Sequence, residues 1–550
     1  MAVVFVFLLL IVFAILPEAP PDLVTNFCPQ APALNATGKA PRLAGAEDDF
    51  GFSPVANSRS YGFRSSQDFY SDEYTNFSLA ALQGAIRIPT MSYDDMLQDP
   101  KEERRFDVFA DLQDYLLKTF PLAAKHVEIV NSYGLLYTFE GSNPELKPVV
   151  LMGHQDVVPV PEATLDQWQY PPFEAHFDGE TLYGRGTSDT KDTVVGMLEA
   201  AESLLSQKWK PERSVVFSFG FDEEIGGSRG ARPLFETIHE RYGSDGVEII
   251  VDEGLAMPSI FGALAGAVSV NEKGYLNIML SLNTPGGHSK APPDHTGIGI
   301  MSKAIKRLEA HPYPYEMEDS NPTLAMFRCL AEHAPQMNKE LRRTVLDIYH
   351  EGHRESLMDF IAANPVYKNM IRTTQAVDVI EGGVKLNALP EKVQMMVNHR
   401  VNGSPGTVID RFEDIILGLA REFDLGLYSQ GETLLESKSN GYFNLTVPNK
   451  LDPAPIAPQS GQQWEWITGT ARSVIEAAPF VNEPLVMTPT TMIANTDTRY
   501  YWPLTRAIYR FKPALAADAQ SIHTVDEHLR FRSHILTVAF FYEFILNTSL

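Results

Sequence analysis

Short, mainly apolar runs that alternate with stretches of helical periodicity constrain the fold of this chain most strongly. The runs cover residues 149–152, 215–219 and 247–251. Between the first two, apolar residues recur at helical spacing after Asp189, a residue type that can cap a helix. Strands without a polar face that alternate with helices are typical of a parallel sheet covered on both sides. We therefore predict an α/β fold with a mostly parallel sheet flanked by helices.

A chain of 550 residues is long for one hydrophobic core, so we expect more than one domain. The pattern changes near residue 275, where strands of 276–282 and 393–397 flank a helix and predict a smaller α+β unit. Proline-rich residues then lead back to the first domain. The predicted segments are a signal peptide or membrane anchor (1–16), a linker or extension (17–70), the first part of the catalytic domain (71–272), a lid domain with a helical insertion (273–455), and the second part of the catalytic domain (456–550).

The first sixteen residues are apolar and end at Pro17. The run is slightly short for a membrane span and long for the core of a signal peptide, so both readings stay open. Five N-x-[ST] acceptor sites, which start at Asn35, Asn76, Asn402, Asn444 and Asn547, agree with entry into the secretory pathway. We expect a lumenal or extracellular protein whose only contact with a membrane is this N-terminal segment.

Charge and cysteine content narrow the function. The formal net charge of −25 opposes binding to nucleic acid, because phosphate backbones are bound by clustered lysine and arginine. Two cysteines, Cys28 and Cys329, are too few for a disulfide framework or a thiolate zinc cluster. A metal ion in this chain therefore needs histidine and carboxylate ligands.

Such ligands follow the predicted strands directly. His154 and Asp156 follow the first strand, Glu223 and Glu224 follow the second, and Asp252 follows the third. Asp189 opens the intervening helix. Because ligands bind beyond the carboxyl ends of parallel strands, these side chains should meet at one edge of the sheet. Carboxylates that converge repel each other unless a divalent cation lies between them, and zinc accepts this nitrogen and oxygen set. The pattern predicts a metal site, with room for two zinc ions that share a carboxylate.

In order and content, these motifs resemble those of the M20 metallopeptidases. The resemblance runs from about Asn76 to the C-terminus and is strongest to the vacuolar Gly-X carboxypeptidases of fungi and the secreted N-acyl-amino-acid hydrolases. It implies a zinc exopeptidase-like catalytic domain with an inserted lid. In Gly153-His154-Gln155-Asp156, His154 matches a zinc ligand and Asp156 the residue that orients it. Asp189 matches the bridging ligand, although Thr190 follows where the family usually has a second acidic residue.

The resemblance also assigns the remaining ligands. In Asp222-Glu223-Glu224, Glu223 matches the catalytic base and Glu224 a ligand, while Asp252 matches a ligand of the other zinc. In Ser521-Ile522-His523, His523 matches the late histidine ligand. One zinc would then have His154, Asp189 and Asp252, and the other Asp189, Glu224 and His523.

Substrate-binding residues are expected mainly in the lid. His288, in Gly286-Gly287-His288-Ser289, resembles the family's oxyanion-stabilising histidine. Asn387 and Arg400 match a substrate-binding pair, and Arg499 is a further candidate for binding a free carboxylate. Each residue also has a purely structural interpretation. His288 and Asn387 could shape turns, and the two arginines could form structural ion pairs.

The leading hypothesis is a dizinc carboxypeptidase that cleaves the C-terminal amide bond of short or N-blocked peptides. The alternative is an N-acyl-amino-acid hydrolase with the same site, because the amine half of both substrates carries a free carboxylate. An inactive homologue that only binds its ligand is a third hypothesis. The resemblance implies residence in the vacuole lumen, with or without an anchor, or outside the cell. It also leaves open a homodimer formed through the lid.

Overall fold

The computed structural model describes residues 26–35 and 66–549, and in these ranges it contains eleven α-helices and 21 strands. The helices are α1 (Asp72–Ile86), α2 (Val108–Thr119), α3 (Lys191–Ser206), α4 (Ala231–Tyr242), α5 (Gly297–Ala310), α6 (Pro322–His333), α7 (Lys339–Leu346), α8 (His353–Ala363), α9 (Pro405–Glu422), α10 (Gln462–Ile475) and α11 (Phe531–Ser549). The strands are β1 (Val127–Val130), β2 (Gly134–Phe139), β3 (Val149–His154), β4 (His176–Phe177), β5 (Thr181–Tyr183), β6 (Val215–Gly220), β7 (Ile249–Asp252), β8 (Ser259–Ile260), β9 (Ala263–Glu272), β10 (Gly274–Asn283), β11 (Gly287–His288), β12 (Thr374–Gly382), β13 (Ala388–Leu389), β14 (Lys392–Val401), β15 (Gly426–Ser429), β16 (Glu432–Leu435), β17 (Tyr442–Leu451), β18 (Leu485–Met492), β19 (Ile508–Arg510), β20 (Ala519–Gln520) and β21 (His528–Arg530).

A nine-stranded sheet forms the centre of the large domain. Its order is β1-β2-β6-β3-β7-β19-β9-β18, with β8 paired to β9. The inner pairs β6–β3, β3–β7 and β7–β19 are parallel, as is the outer pair β9–β18. Every residue of β3 and β6 is buried because helices cover both faces of the sheet. This confirms the predicted α/β fold with a mostly parallel sheet.

The two faces of the large sheet have separate apolar cores. Helices α1, α3, α10 and α11 supply the larger core, and α4 supplies the smaller one. The last helix, α11, is buried along its length and packs on α3, as expected for a core helix. Among the described residues, we find no helix with both the length and the apolar character needed to span a membrane. The expected signal peptide or anchor at 1–16 lies outside the described residues.

The lid domain is a six-stranded sheet with the order β12-β14-β10-β17-β15-β16. Burial along β14 alternates strictly, because one face of this sheet packs on α5 and α9 while the other does not. Helix α9 begins where the Ser404 hydroxyl accepts a hydrogen bond from Gly406 N–H and Pro405 fills the first turn. The lid therefore has a core of its own.

The helical insertion packs on the large domain, which corrects the expectation that it forms part of the lid. Helix α6 lies against β18 and β9, where Leu324, Phe327 and Leu330 share an apolar cluster with Val486 of β18. Helices α7 and α8 extend the same cluster. The periodicity of an amphipathic helix reveals that it has an apolar face but not which sheet that face covers, and this is why the sequence misplaced the insertion.

Residues 26–35, which we call the strap, lie against the large domain and the helical insertion. Cys28 forms a disulfide with Cys329 of α6 across a sequence separation of 301. The Gln30 side chain donates to the Met487 carbonyl oxygen at 3.0 Å and accepts from Met487 N–H at 2.8 Å. Leu34 N–H donates to the Gly469 carbonyl oxygen at 2.9 Å. Of the two predictions for 17–70, a linker or an extension, these contacts agree with an extension that lies on the body. Phe69 is fully buried in the main core.

Loss of the disulfide should destabilise the protein. Replacing Cys28 and Cys329 together by serine should lower the free energy of unfolding by about 2–5 kcal/mol, because the bond closes a long loop in the unfolded chain. Denaturant unfolding of the oxidised protein and the double variant gives the difference. Reduction of the wild-type protein should reproduce the effect and leave the double variant unchanged. Equal unfolding midpoints for all four samples would contradict a stabilising role for this bond.

Candidate metal centre

Polar side chains from five segments of the chain meet at the carboxyl edge of the large sheet. His154 is the last residue of β3, which pairs with both β6 and β7. Glu223 and Glu224 follow β6, and Asp189 lies just before α3, with a cis peptide bond to Thr190. The geometry of parallel strands explains the convergence, since the ends of β3, β6 and β7 lie side by side.

Asp189 lies between the two histidines. Its Oδ1 is 3.2 Å from Nε2 of His154, and its Oδ2 is 2.9 Å from Nε2 of His523. The same nitrogen of His523 lies 3.2 Å from Oε2 of Glu224. The structure therefore brings together His154, Asp189, Glu224 and His523, as the sequence predicted. A carboxylate with one oxygen toward each histidine is placed to bridge two cations.

Asp252 does not join this group, which departs from the predicted ligand set. The next residue, Glu253, does, with its Oε1 3.4 Å from Nε2 of His154. Asp252 ends β7, and its carboxylate is buried beside Thr496 and Arg510. Its Oδ2 has no hydrogen-bond partner in the described ranges. Successive side chains of an extended chain point in opposite directions, so only one of these neighbours can face the histidine.

The carboxylate of Asp156 organises the loops around the metal centre. Its Oδ1 accepts from Glu223 N–H at 3.1 Å, and its Oδ2 accepts from Glu224 N–H at 3.1 Å and from the Ser92 hydroxyl at 2.6 Å. The backbone carbonyl oxygen of Asp156 lies 2.9 Å from Nδ1 of His154. A carbonyl only accepts, so Nδ1 carries a hydrogen, and Nε2 is the ring atom that faces the carboxylates.

Glu223 lies at the same centre but faces a different neighbour. Its carboxylate lies together with the imidazole of His154 and the carboxylate of Glu253, and its Oε1 is 3.9 Å from Nη2 of Arg499. Burial, followed by the charge of Glu253, raises the pKa of Glu223 well above its ordinary value. A carboxyl group with a raised pKa beside a cation site can both accept and donate a proton near neutral pH.

The pKa shifts reveal the crowding of negative charge. Burial and the neighbouring Asp189 raise the pKa of Glu224 to about 7, and burial raises that of Glu253 to about 7. Hydrogen bonds to Asp189 and Glu224 raise the pKa of His523 to about 10. Without a cation, the cluster holds protons that ordinary carboxyl and imidazole groups release. Two imidazoles and several carboxylates suit zinc, so the donor set fits a metal centre.

Two arginines lie beside Glu223. Arg499 follows β18, and its Nε donates to the Thr496 carbonyl oxygen at 3.0 Å. Arg400, near the end of β14, donates through Nη1 to Oδ1 of Asn495 at 2.7 Å. The charges of Arg499 and Glu223 both act on Arg400, although burial contributes most to its lowered pKa. The two guanidinium groups therefore act on each other and on Glu223, and two cations at this edge of the cluster can bind an additional anion.

Asn495 connects Arg400 to the junction between the domains. Its Nδ2 donates to the carbonyl oxygen of Lys273 at 2.6 Å, while its Oδ1 accepts from Arg400. Lys273 lies between β9 of the large domain and β10 of the lid. Sequence reasoning missed Asn495, and its only signal was its place in the Asn495-Thr496-Asp497-Thr498-Arg499 motif.

His288 and Asn387 lie together but far from Arg400. Strand β11 pairs with β13, and Ser289 N–H donates to the Asn387 carbonyl oxygen at 3.2 Å. Both residues are exposed. His288 follows the end of β10, and Asn387 precedes the start of β14, both at the end of the sheet opposite Arg400. Ten extended residues of β10 span about 30 Å, so the structure does not bring Asn387 and Arg400 together as a pair.

This donor set, at the carboxyl edge of an α/β sheet with a separate lid, is that of a metallopeptidase. The protein belongs to peptidase family M20/M25/M40, whose family model matches residues 150–547. That assignment agrees with the family resemblance of the sequence motifs.

The relatives include peptidases and acyl-amino-acid enzymes. The chain is 40% identical over 488 residues to carboxypeptidase S of Saccharomyces cerevisiae. This match covers 86% of this chain and 85% of the relative. It is 33% identical to the N-fatty-acyl-amino acid synthase/hydrolase PM20D1 of Bos taurus, over 90% of this chain and 93% of the relative. The fold is similar to that of the metallo-carboxypeptidase Sso-CP2 of Sulfolobus solfataricus, with a TM-score of 0.58, 15% identity, and coverage of 86% and 99%.

Metal binding should release protons. At pH 7 the metal-free cluster holds a proton on His523, whose pKa is about 10, and shares protons on Glu224 and Glu253, whose pKa values are about 7. A metal ion needs these donors without protons, so affinity should rise as the pH increases from about 6 to 10. Calorimetric titration of the metal-free protein with zinc, in two buffers of different ionisation enthalpy, measures the number released. A heat that does not depend on the buffer would contradict the expected release.

Proposed function

We propose that this protein is a dizinc carboxypeptidase that releases the C-terminal residue of short or N-blocked peptides. The observation that carries the proposal is the position of Arg400 and Arg499 beside Glu223, at the edge of the metal cluster. A carboxypeptidase must bind a free carboxylate next to the bond that it cleaves, and guanidinium groups bind carboxylates in a fixed geometry.

The proposed ligand sets use Glu253 in place of Asp252. His154, Asp189 and Glu253 would hold one zinc, and Asp189, Glu224 and His523 the other. Zinc in these positions supplies a Lewis acid for the amide carbonyl and lowers the pKa of bound water to about 7. Asp156 fixes the tautomer of His154 through its backbone carbonyl and holds the loop of Glu223 and Glu224 through its carboxylate.

Glu223 is the proposed general base and acid. It lies next to the cluster but faces Arg499, and its raised pKa suits a group that first takes a proton from water and then passes it to the leaving amine. Arg499 and Arg400 would bind the carboxylate of the leaving residue, with Asn495 holding Arg400 in place. These contacts orient the amide toward Glu223.

The alternative function is hydrolysis of N-acyl amino acids, and the bovine relative supports it. Its substrates also carry a free carboxylate on the amine half, so the arginines serve both reactions equally. Product analysis with Z-Gly-Leu beside an N-oleoyl amino acid separates the two. An inactive binding homologue is not favoured, because the cluster and Glu223 are complete.

Glu223→Gln should retain zinc and lose turnover, since it removes the proton carrier and leaves the ligands intact. We expect kcat to fall by about a hundredfold to ten-thousandfold. Hydrolysis of Z-Gly-Leu and metal analysis of the same samples give both quantities. Glu224→Gln is the matched control and should lose zinc. If Glu223→Gln loses zinc to the same degree, the division of roles within the pair is wrong.

The same metal analysis tests whether Glu253 or Asp252 is the zinc ligand next to His154. Glu253→Gln should reduce zinc to about one ion per chain at micromolar free metal, because a charged ligand is lost. Asp252→Asn should keep both ions, since its carboxylate is buried beside Thr496 and Arg510. A reversed result would restore Asp252 as the ligand.

The proposed location is the lumen of the secretory pathway, the vacuole or the extracellular space. The disulfide between Cys28 and Cys329 supports it, because such bonds persist in oxidising compartments. The N-x-[ST] sites agree with it. An N-terminal anchor would be the only membrane contact.

We also propose that two copies pair through the lid. Strand β12 is at the edge of the lid sheet, and its Val379 and Ile380 side chains are half exposed. His288 lies at the end of the lid away from Arg400, so a second copy offers a route for it to reach a metal cluster.

Sedimentation velocity should detect a dimer of the wild-type protein at micromolar concentration. Val379→Asp combined with Ile380→Asp should shift it toward the monomer, because two buried charges would oppose the interface. If His288 acts on the partner, kcat should fall at least tenfold in the same variant. A fully active monomer would contradict the proposal.

A further inference from the structure

A cleft of about 320 Å³ opens beside the metal cluster, between the loops that contain Tyr93 and Val158. Tyr93, Val158, Pro159 and Ile225 supply apolar wall, and Glu224 lines the cleft as well. Glu224 also faces His523, so it belongs to both the cleft and the cluster. Whatever occupies the cleft is therefore adjacent to the bond that the proposed enzyme would cleave.

The two neighbouring glutamates give the cleft a direction relative to the substrate. The carboxylate of Glu223 lies 3.9 Å from Arg499, whereas Glu224 lines the cleft and Glu223 does not. The inference rests on the proposed function, in which the arginines hold the carboxylate of the leaving residue. Since the two halves of an amide extend to opposite sides of its carbonyl carbon, the acyl half then points toward Glu224.

The loop that bears Tyr93 is fixed to the catalytic machinery. The hydroxyl of Ser92 donates to the carboxylate of Asp156, and Ser92 N–H donates to the Val157 carbonyl oxygen at 3.2 Å. Arg105 holds the same loop from outside, with Nη1 2.7 Å from Oδ1 of Asp95 and the guanidinium 5.4 Å from the centre of the Tyr93 ring. The wall is therefore preformed, as ligand sites usually are.

The charge around the cleft is negative. Its lining contains Asp94, Asp95 and Glu224 but no lysine or arginine. Arg105 pairs with both Asp95 and Glu103, while Asp94 is exposed and forms no ion pair within the described part of the chain. An acyl group with its own carboxylate would be repelled by Asp94, and an ammonium group would be attracted.

The size of the cleft limits the occupant further. Its volume lies near the lower end of the roughly 300–1,000 Å³ of small-molecule sites. An acyl group the size of one amino-acid residue fits such a space better than a long hydrocarbon chain. Apolar walls below an exposed carboxylate suit an aliphatic stem with a neutral or cationic end.

We propose that this cleft is the subsite for the acyl side of the cleaved bond and that Asp94 determines its charge preference. The occupant is the penultimate residue of a peptide with a neutral or cationic side chain. Peptides with an acidic penultimate residue are poor substrates for the same reason.

Three N-blocked dipeptides that share a C-terminal leucine, with alanine, lysine or glutamate before it, test the assignment. For the zinc-loaded wild-type enzyme, kcat/KM for the alanine and lysine peptides should exceed that for the glutamate peptide by about three- to tenfold. Asp94→Lys should reduce the lysine-to-glutamate ratio by about tenfold or more, and Asp94→Asn by less. High salt should weaken the preference of the wild-type enzyme.

Asp359→Lys is the matched control, because this exposed aspartate lies on α8 and makes the same change in net charge. It should leave the ratio as in the wild-type enzyme. An unchanged ratio in both Asp94 variants, with activity retained, would overturn the subsite assignment while the carboxypeptidase proposal stands. Failure of the zinc-loaded wild-type enzyme to hydrolyse any of the three peptides would instead overturn the proposed function, and the subsite with it.

Discussion

Repulsion among carboxylates at one edge of the sheet is the constraint on which the rest of the site depends. Asp189, Glu223, Glu224 and Glu253 lie within a few side-chain lengths of each other, each at most about one-fifth exposed. Burial itself raises the pKa values of Glu223, Glu224 and Glu253, and their repulsion from neighbouring carboxylates raises these values further. A cation relieves this repulsion, so the same charges that destabilise the metal-free fold provide the affinity for metal.

The surroundings hold the charged groups in place despite this repulsion. Asp156 accepts hydrogen bonds from two backbone N–H groups and one hydroxyl, and this ties the β3 loop to the β6 loop and to Ser92. Glu527 does the same for the loop before α3, since its Oε1 accepts from the N–H groups of Gly186 and Ser188. These carboxylates make no contact with substrate in the proposed mechanism. Their work is to fix the positions of those that do.

Much of the fold and most of the cluster could be predicted from local patterns. Buried strands with polar residues at their ends indicate which loops meet, and His154, Asp189 and Glu224 do lie together. His523, which only the family resemblance predicted, lies beside Asp189 and Glu224 as well. The pattern predicted Asp252 and did not distinguish it from Glu253, because the side chain that faces His154 depends on where β7 stops. Local patterns did not reveal the contacts of the strap or the domain that α6 covers, because both depend on residues far apart in the sequence. Asn387 and Arg400 were predicted as a pair, but they lie near opposite ends of strand β14.

The attachment of the helical insertion to the large domain changes how the lid can move. Strands β10 and β12 enter the lid sheet, and β17 leaves it, along the same edge, where β14 also ends at Val401. These neighbouring strands are hydrogen-bonded into a ribbon. Such a ribbon bends out of its own plane more readily than it shears within it. The lid should therefore rotate about a single hinge axis that crosses these strands where they enter the lid. Arg400 lies on that axis and His288 at the moving rim. A small rotation would leave Arg400 nearly stationary and move His288 over a much longer distance.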